Sequence, residues 1–391
     1  MTKKLRVLVV HNSYQHQGGE DMVAAAEIEL LRSRGHIVET YFRHNDEITS
    51  SGSLSLAREA LWSRRTTQDI TQLIMEFRPE IVHAHNTFPL ISPSVYWAVG
   101  KQRIPVIQTM HNFRLMCPQA MFLREQKVCE DCLGNLPWRG VLRACYRESR
   151  LQSGVLAAVV TMHGAIGTWK NKVTRYIALN KFCRDKFIAG GLPAGRIVIK
   201  PNFVDFTAPG LATRAGFLFV GRLSVEKGVS VMMNAIDRVG DVDVRVAGVG
   251  PESHLLTESD QVKTLGSLSS SDVRREMSQA MALILPSIWY ENFPRTLVEA
   301  FGCGLPVIAS RIGALGELIE HGVTGLLFSP GDADDLAEKM AWAQQHPEQM
   351  ADMGRNARAL YEAEFTADRN YEQLIQIYHD AINELKMERC Q

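Results

Sequence analysis

MALILPSIWYENFPRTLVEAFGCGLPVIAS, residues 281–310, reads as strand, loop, helix and strand. MALILP and LPVIAS are short apolar runs of strand length, and Pro294 suits a first helical turn, where a missing N–H is no loss. A strand, a helix and a second strand in that order form one unit of a parallel α/β sheet. The rhythm extends outward, with GFLFVG from 216, VDVRVAG from 242 and TGLLF from 324. The first half repeats it in LRVLVV from 5, EIVHAH from 80, IPVIQT from 104, RYIALN from 175 and RIVIK from 196. Two such series predict an α/β protein of two Rossmann-like, doubly wound domains facing a cleft, with ligands held in the loops after the strands.

The length of 391 residues and the 46% apolar composition agree, since one core seldom organises a chain of this size. The stretch PNFVDFTAPGLATRAG, 201–216, is rich in Pro, Gly, Ala and Thr and has little periodicity, which predicts the hinge there. Expected domains are 1–205, carrying a Cys-rich insertion at about 115–150, then 206–365, then a terminal amphipathic helix over 366–391 that packs back on the N-terminal domain. The runs VLAAVV and MALILP fall well short of the ~20 residues that cross a bilayer. MTKKLRVLVV reads as a first strand rather than a leader. The expected location is cytoplasmic.

Lysine plus arginine equals aspartate plus glutamate at 43 each, yet residues 1–205 hold 27 against 17 and residues 206–391 hold 16 against 26. A basic first half suits an anionic partner such as a membrane surface, a lipid-linked phosphate or nucleic acid; a solvated basic surface that complements the acidic half is the plainer alternative. A second basic element is REALWSRRTTQDI, 58–70, which reads as an amphipathic surface helix.

Three post-strand segments carry chemistry. After the first strand, Gly18 and Gly19 precede a helix, where close backbone approach and free N–H groups suit a phosphate; Glu20 and Asp21 at that helix start offer a dipole-favourable alternative. In FVGRLSVEKGV, 219–229, Arg222 and Lys227 are placed to bracket a diphosphate and to neutralise charge on a leaving nucleotide without a metal. In the opening segment, Glu291 falls in the loop and Glu299 in the second helical turn, so both carboxylates turn toward the strand ends as acceptors for sugar and ribose hydroxyls. The free amides around Asn292 and Phe293 are further donor contacts.

These residues resemble the family 4 glycosyltransferases, retaining enzymes of the GT-B fold. The likeness includes the N-terminal glycine pair, HNF at 111–113, PNFVD at 201–205, GRLSVEKG at 221–228, GVGP at 248–251 and Glu-x7-Glu at 291–299. It implies an acceptor-side first domain and a nucleotide-sugar-binding second one. It implies Arg222 and Lys227 on the donor diphosphate, Glu299 on the ribose, Glu291 near the donor sugar, His111 near its C6 hydroxyl, Gly250 in a backbone contact, and Gly18 and Gly19 in a loop over the diphosphate. It further implies front-face displacement in which the leaving phosphate accepts the acceptor's proton, with no cofactor for catalysis. The donor is then a UDP- or GDP-linked hexose. The acceptor is a glycan or lipid-linked molecule in surface polysaccharide biosynthesis, with peripheral contact at the inner face of the plasma membrane. Asn292 stands where the family usually has glycine, which bears on donor identity. The alternative is a non-catalytic GT-B-like protein that binds nucleotide sugar or nucleic acid. A dinucleotide oxidoreductase lacks support, because HNSYQHQGGE replaces G-x-G-x-x-G after the first strand.

Cys117, Cys129, Cys132 and Cys145 form C-x11-C-x2-C-x12-C, a set of four thiolates suited to a closed structural zinc site. Nearby Arg139, Arg143, Arg147 and Arg150, with Trp138 and Tyr146, suit a lipid phosphate or head groups, or nucleic acid, which the family resemblance does not favour.

Overall fold

The computed structural model describes residues 3–15, 18–50, 53–205, 214–256 and 259–390. It divides into two compact units, one of Met1–Met121, Glu130–Lys200 and Asn370–Gln391, the other of Phe122–Cys129 and Pro201–Arg369. Most of the stretch expected to be the hinge, residues 206–213, lies outside the described residues.

The first unit contains β1 (Arg6–Ser13), α1 (Gly19–Ser33), β2 (Ile37–His44), α2 (Ser53–Leu61), α3 (Arg64–Phe77), β3 (Ile81–Ala84), α4 (Ser94–Lys101) and β4 (Val106–Thr109). A two-strand hairpin, β5 (Leu123–Arg124) and β6 (Lys127–Val128), then interrupts it and belongs to the second unit, where the Phe122 ring meets Tyr290 edge-on at 6.1 Å. The first unit resumes with α5 (Trp138–Leu142), α6 (Arg150–Ala165), α7 (Thr168–Asn171), β7 (Arg175–Ala178), α8 (Lys181–Ala189) and β8 (Ile197–Ile199). Its strands are all parallel, in the order β2-β1-β3-β4-β7-β8. The order reverses between β1 and β3, which marks that point as the place for a ligand.

The second unit runs through β9 (Phe217–Val220), α9 (Val229–Val239), β10 (Val244–Ala247), β11 (Val262–Gly266), α10 (Ser270–Gln279), β12 (Ala282–Leu285), α11 (Arg295–Gly302), β13 (Val307–Ser310), α12 (Gly313–Leu318), β14 (Gly325–Phe328), α13 (Ala333–Gln345) and α14 (Pro347–Glu364). Its parallel order is β11-β10-β9-β12-β13-β14, with the reversal between β9 and β12. Alternate residues feed opposite cores. Phe217, Phe219, Ile284 and Ile308 enter one cluster, and Leu218, Leu283, Leu285 and Val307 enter the other. Both faces of the sheet are therefore covered, as a parallel sheet requires. The long helix α15 (Ala367–Cys390) brings Leu374, Ile377 and Tyr378 into the core of the first unit beside Leu5, Val7 and Val9.

Two strands escape the sequence rhythm. β2 and β11 are edge strands, and their partly exposed, polar-rich sequences IVETYFRH and VKTLG lack the apolar run of a central parallel strand. Residues 58–70 are not one helix. The chain breaks between α2 and α3 at Ser63, whose hydroxyl caps α3 by accepting from the Thr66 amide. Trp62 at this break stacks on His163 at 5.9 Å.

A buried ion pair joins distant parts of the first unit. Lys200, just after β8, places Nζ 2.5 Å from Oε1 of Glu27 on α1, with the two side chains 0% and 2% exposed. Glu27→Ala strands a buried ammonium and should cost about 3–5 kcal/mol in urea unfolding. The pair Glu27→Met with Lys200→Met should recover much of that loss. A double variant no more stable than the single one contradicts this account.

Candidate active site

In the second unit the site residues flank the reversal between β9 and β12. The loop after β9 carries Arg222 and Lys227, and its last residue, Gly228, has φ of +71°. A Cβ on Gly228 would stand 1.9 Å from the Pro286 carbonyl oxygen, so only glycine lets this loop lie against the one after β12. Gly250, after β10, is equally close to its neighbour, with a Cβ placed 2.2 Å from the Leu223 carbonyl oxygen. Backbone bonds from Leu223 N to Val249 O, at 3.1 Å, and from Ile288 N to Glu226 O, at 3.0 Å, close these three loops on one another.

The approach delivers Lys227 to Glu291. Its Nζ lies 2.6 Å from Oε1 of Glu291, which also accepts from Ser287 Oγ at 2.8 Å and from Trp289 Nε1 at 3.1 Å. Glu291 is buried. Arg222 is exposed and takes no ion-pair partner among the described residues. The two cations expected as a matched bracket are thus unequal, because one carries a carboxylate of its own. Glu299 is also buried, and Arg295 holds its Oε1 at 3.1 Å one helical turn away. α11 starts one residue later than expected, with Pro294 as its cap residue and no side chain capping its amides. Asn292 is buried at the loop's inner side. The Phe293 ring packs edge-on against Phe365 at 5.9 Å, which turns its side chain into the core and leaves the backbone as its means of contact.

In the first unit the glycine pair begins α1, with Gly18 as cap residue. Asp21 fills the helix start. Its carboxylate accepts from the Gly18 amide at 2.6 Å and the Tyr14 amide at 3.3 Å, and pairs with His11 Nε2 at 2.7 Å. The acidic alternative for this terminus is the one observed.

His111 follows β4 and joins a row of rings that the strand EIVHAH begins. His85 Nδ1 lies 2.9 Å from His111 Nε2, and the rings stack with centroids 5.2 Å apart. His85 Nε2 lies 3.5 Å from Oε2 of Glu27. His83 is closed on both sides by hydroxyls, Tyr378 at Nδ1 and Thr109 at Nε2, each at 2.7 Å. Glu27 Oε2 accepts no hydrogen bond among the described residues, so the 3.5 Å approach of His85 is close without being a bond. With the His85 Nε2–H turned to the carboxylate, Nδ1 of His85 accepts from Nε2–H of His111, and Nδ1 of His111 is left as an acceptor suited to a hydroxyl. Glu27, His83 and His85 bring metal-ligand atoms within 4.8 Å of one another, but Lys200 already neutralises the carboxylate and both His83 nitrogens are engaged. The cluster is a polar core.

Cys117 and Cys132 are buried, while Cys129 and Cys145 are half-buried. The segments holding Cys117 and Cys145 meet closely, and that of Cys132 lies against α8. A Cβ on Gly140 of α5 would lie 2.8 Å from Pro118 Cγ, beside Cys117, and the Cys145 amide donates to the Gly140 carbonyl at 2.9 Å. A Cβ on Gly134 would lie 3.0 Å from the Ala189 carbonyl, two residues past Cys132.

Burial holds the histidines neutral. It lowers the pKa of His83 to about 4 and that of His111 to about 3, and moves His85 well below its ordinary value. Below about pH 6.5 the unfolded chain takes up protons that the folded one refuses, so this stability is full above that pH and is lost as pH falls toward 4. His83 alone should contribute a loss of roughly 3 kcal/mol across that window. Urea midpoints measured from neutral pH down to about pH 5 should fall, and a flat profile would count against neutral burial.

Comparison with known proteins agrees with this arrangement. The model for Glycosyltransferase Family 4 matches residues 17–208, and that for Glycosyl transferases group 1 matches residues 208–360. The amylovoran biosynthesis glycosyltransferase AmsK of Erwinia amylovora is 30% identical over 301 residues, 68% of this chain and 74% of that protein. The D-rhamnosyltransferase WbpZ of Pseudomonas aeruginosa is 33% identical over 159 residues, spanning 39% of this chain and 42% of that relative. Among solved structures, Anabaena HepE in complex with UDP superimposes with a TM-score of 0.68 at 19% identity, covering 95% of this chain and 99% of HepE. Sucrose-phosphate synthase from Thermosynechococcus elongatus gives 0.72 at 18% identity, covering 97% and 100%. These two likenesses show the fold, which is GT-B. With matched models along both units and a relative of 30% identity along most of its length, the chain belongs to glycosyltransferase family 4.

Proposed function

We propose that this chain is a retaining hexosyltransferase. It moves a hexose from a UDP- or GDP-linked donor to a glycan or lipid-linked acceptor in surface polysaccharide biosynthesis, and its chemistry needs no metal. The observation that carries this reading is the bond between Lys227 and Glu291 beside the strand reversal of the second unit, with the exposed Arg222 in the same loop as Lys227. Three donors converge on Oε1 of Glu291, so Oε2 is the oxygen that receives a sugar hydroxyl. The uncapped amides of α11 and the exposed guanidinium of Arg222 face charge gained by the leaving diphosphate, which is the electrostatic role a divalent ion would otherwise fill. Glu299 then receives the ribose, and the backbone at Gly250, Asn292 and Phe293 borders the donor. In the first unit His111 accepts from a donor-sugar hydroxyl through Nδ1, with Gly18 and Gly19, at the start of α1, in the loop over the diphosphate. The names of two relatives, an amylovoran biosynthesis glycosyltransferase and a D-rhamnosyltransferase, support the acceptor class.

A thermal-shift series with UDP-, GDP- and ADP-sugars, and NAD as control, tests this. One nucleotide family should raise the melting temperature, with or without Mg2+, and Arg222→Ala with Lys227→Ala should abolish the shift. A shift by NAD alone, or one untouched by the double variant, overturns the donor site.

The four cysteines form, on this reading, a structural zinc site that closes the insertion, with four thiolates and no position left open for water. Elemental analysis should find about one zinc per chain, and less than about half without chelator exposure rules the site out. No helix among the described residues is long and apolar enough to cross a membrane. Exposed Trp138, Leu142 and Leu151, among Arg139, Arg147 and Arg150, support peripheral contact with an anionic membrane surface.

A further inference from the structure

The first unit holds a second cavity, of about 330 Å³, beyond the carboxyl ends of its strands. Its lower wall is aliphatic: Leu56, Ala57 and Ala60 from α2 face Leu151 and Val155 from α6. Its polar end is Arg114, in the loop after β4. The Arg114 guanidinium sits 5.0 Å from the Phe88 ring centre and 5.5 Å from that of Tyr146, and these two rings also line the cavity. Its Nε and Nη1 are buried and have no hydrogen-bond partner among the described residues. A guanidinium held by two rings with two unanswered donors is costly unless something accepts from it.

Arg147 is a second cation in the lining, and no carboxylate belongs to it among the described residues. Glu20 acts on Arg114 electrostatically, and burial raises its pKa. Tyr14, at the cavity wall, feels both groups. At the opposite end the lining reaches solvent, because Leu151 is 72% exposed. Phe88 and Arg114 also line the smaller cavity, about 70 Å³, that holds His111. A molecule whose anionic end meets Arg114 therefore ends beside His111.

The geometry points to this cavity as the seat of an acceptor that joins a phosphate to a hydrocarbon chain, with the phosphate on Arg114 and the chain running between α2 and α6 toward Leu151. Arg114 is matched to phosphate by the planar fork of its donors, and Arg147 adds charge near the chain's exit. The aliphatic wall has no use for a free inorganic anion or for a wholly polar glycan. This assignment rests on the transferase reading for the word acceptor, and on the cavity alone for the ligand class.

Calorimetric titration of the full chain with monomeric dodecyl phosphate tests it, with dodecyl maltoside and inorganic phosphate as the two half-ligands. Dodecyl phosphate should bind at least about tenfold tighter than either. Arg114→Gln should weaken it by about tenfold or more, and Ala57→Trp, which fills the aliphatic end without touching charge, should weaken it as well. Equal binding of inorganic phosphate removes the hydrocarbon half of the assignment, equal binding of dodecyl maltoside removes the phosphate half, and indifference to both variants overturns it. Thermal unfolding of each variant guards against misfolding, and Arg114→Lys, which keeps the charge, should retain part of the affinity. A UDP-sugar titration on the same samples separates the two readings. Donor binding without dodecyl phosphate binding sinks the cavity assignment alone, whereas the reverse sinks the transferase reading and leaves the phosphate-and-hydrocarbon site standing.

Discussion

The Glu27–Lys200 pair is the constraint on which the first unit turns. Removing two charges from water is expensive, and their attraction offsets that only when geometry is close. Here it is close, at 2.5 Å, and the same carboxylate faces His85 with its other oxygen. One side chain therefore fixes the end of β8 against α1 and also stands beside His85, whose ring stacks on His111. An apolar pair would hold the same elements together, but it would take the carboxylate away from His85.

The second unit solves a different problem. Its donor residues come from loops after β9, β10 and β12, and the three loops must lie closer than side chains permit. Gly228 and Gly250 allow it, and the backbone bonds that follow place Lys227 on Glu291. The strand reversal decides where the loops part, and the glycines decide how near they come.

Much of this was legible in the chain. Central parallel strands are buried on both sides, so their apolar runs stand out, and the Pro294 segment marked the helix that carries Glu299. The edge strands β2 and β11 were not legible, because strands with one open edge carry polar residues that blur the period. Lys227 and Glu291 were each visible, but their mutual bond spans 64 positions and depends on the Gly228 contact. For Phe293 the expected donor contact is its backbone amide, and the place of its ring against Phe365 was not legible. The joining of Glu27, His85 and Lys200 was not legible. The alternation in HAH was the available signal, since two histidines on one face of a buried strand need partners, but only the fold reveals that those partners lie on α1, after β8 and after β4. Arg114, three residues after His111 and directly after the HNF motif, was likewise hidden by its ordinary neighbours.

The contribution of α15 to the first unit has a consequence for the order of synthesis. Leu374, Ile377 and Tyr378 complete a core that begins at Leu5, and Tyr378 supplies the hydroxyl on His83 Nδ1. On the ribosome, β1 emerges early and must wait for α15 before that face is completed, while the second unit, Phe122–Cys129 with Pro201–Arg369, has all its residues once Arg369 has been added. The unit made first is thus finished last. Until then Leu5, Val7 and Val9 have only α1, through Ile28 and Leu31, to cover them, and partly exposed apolar surface is the condition under which nascent chains associate with one another or with chaperones.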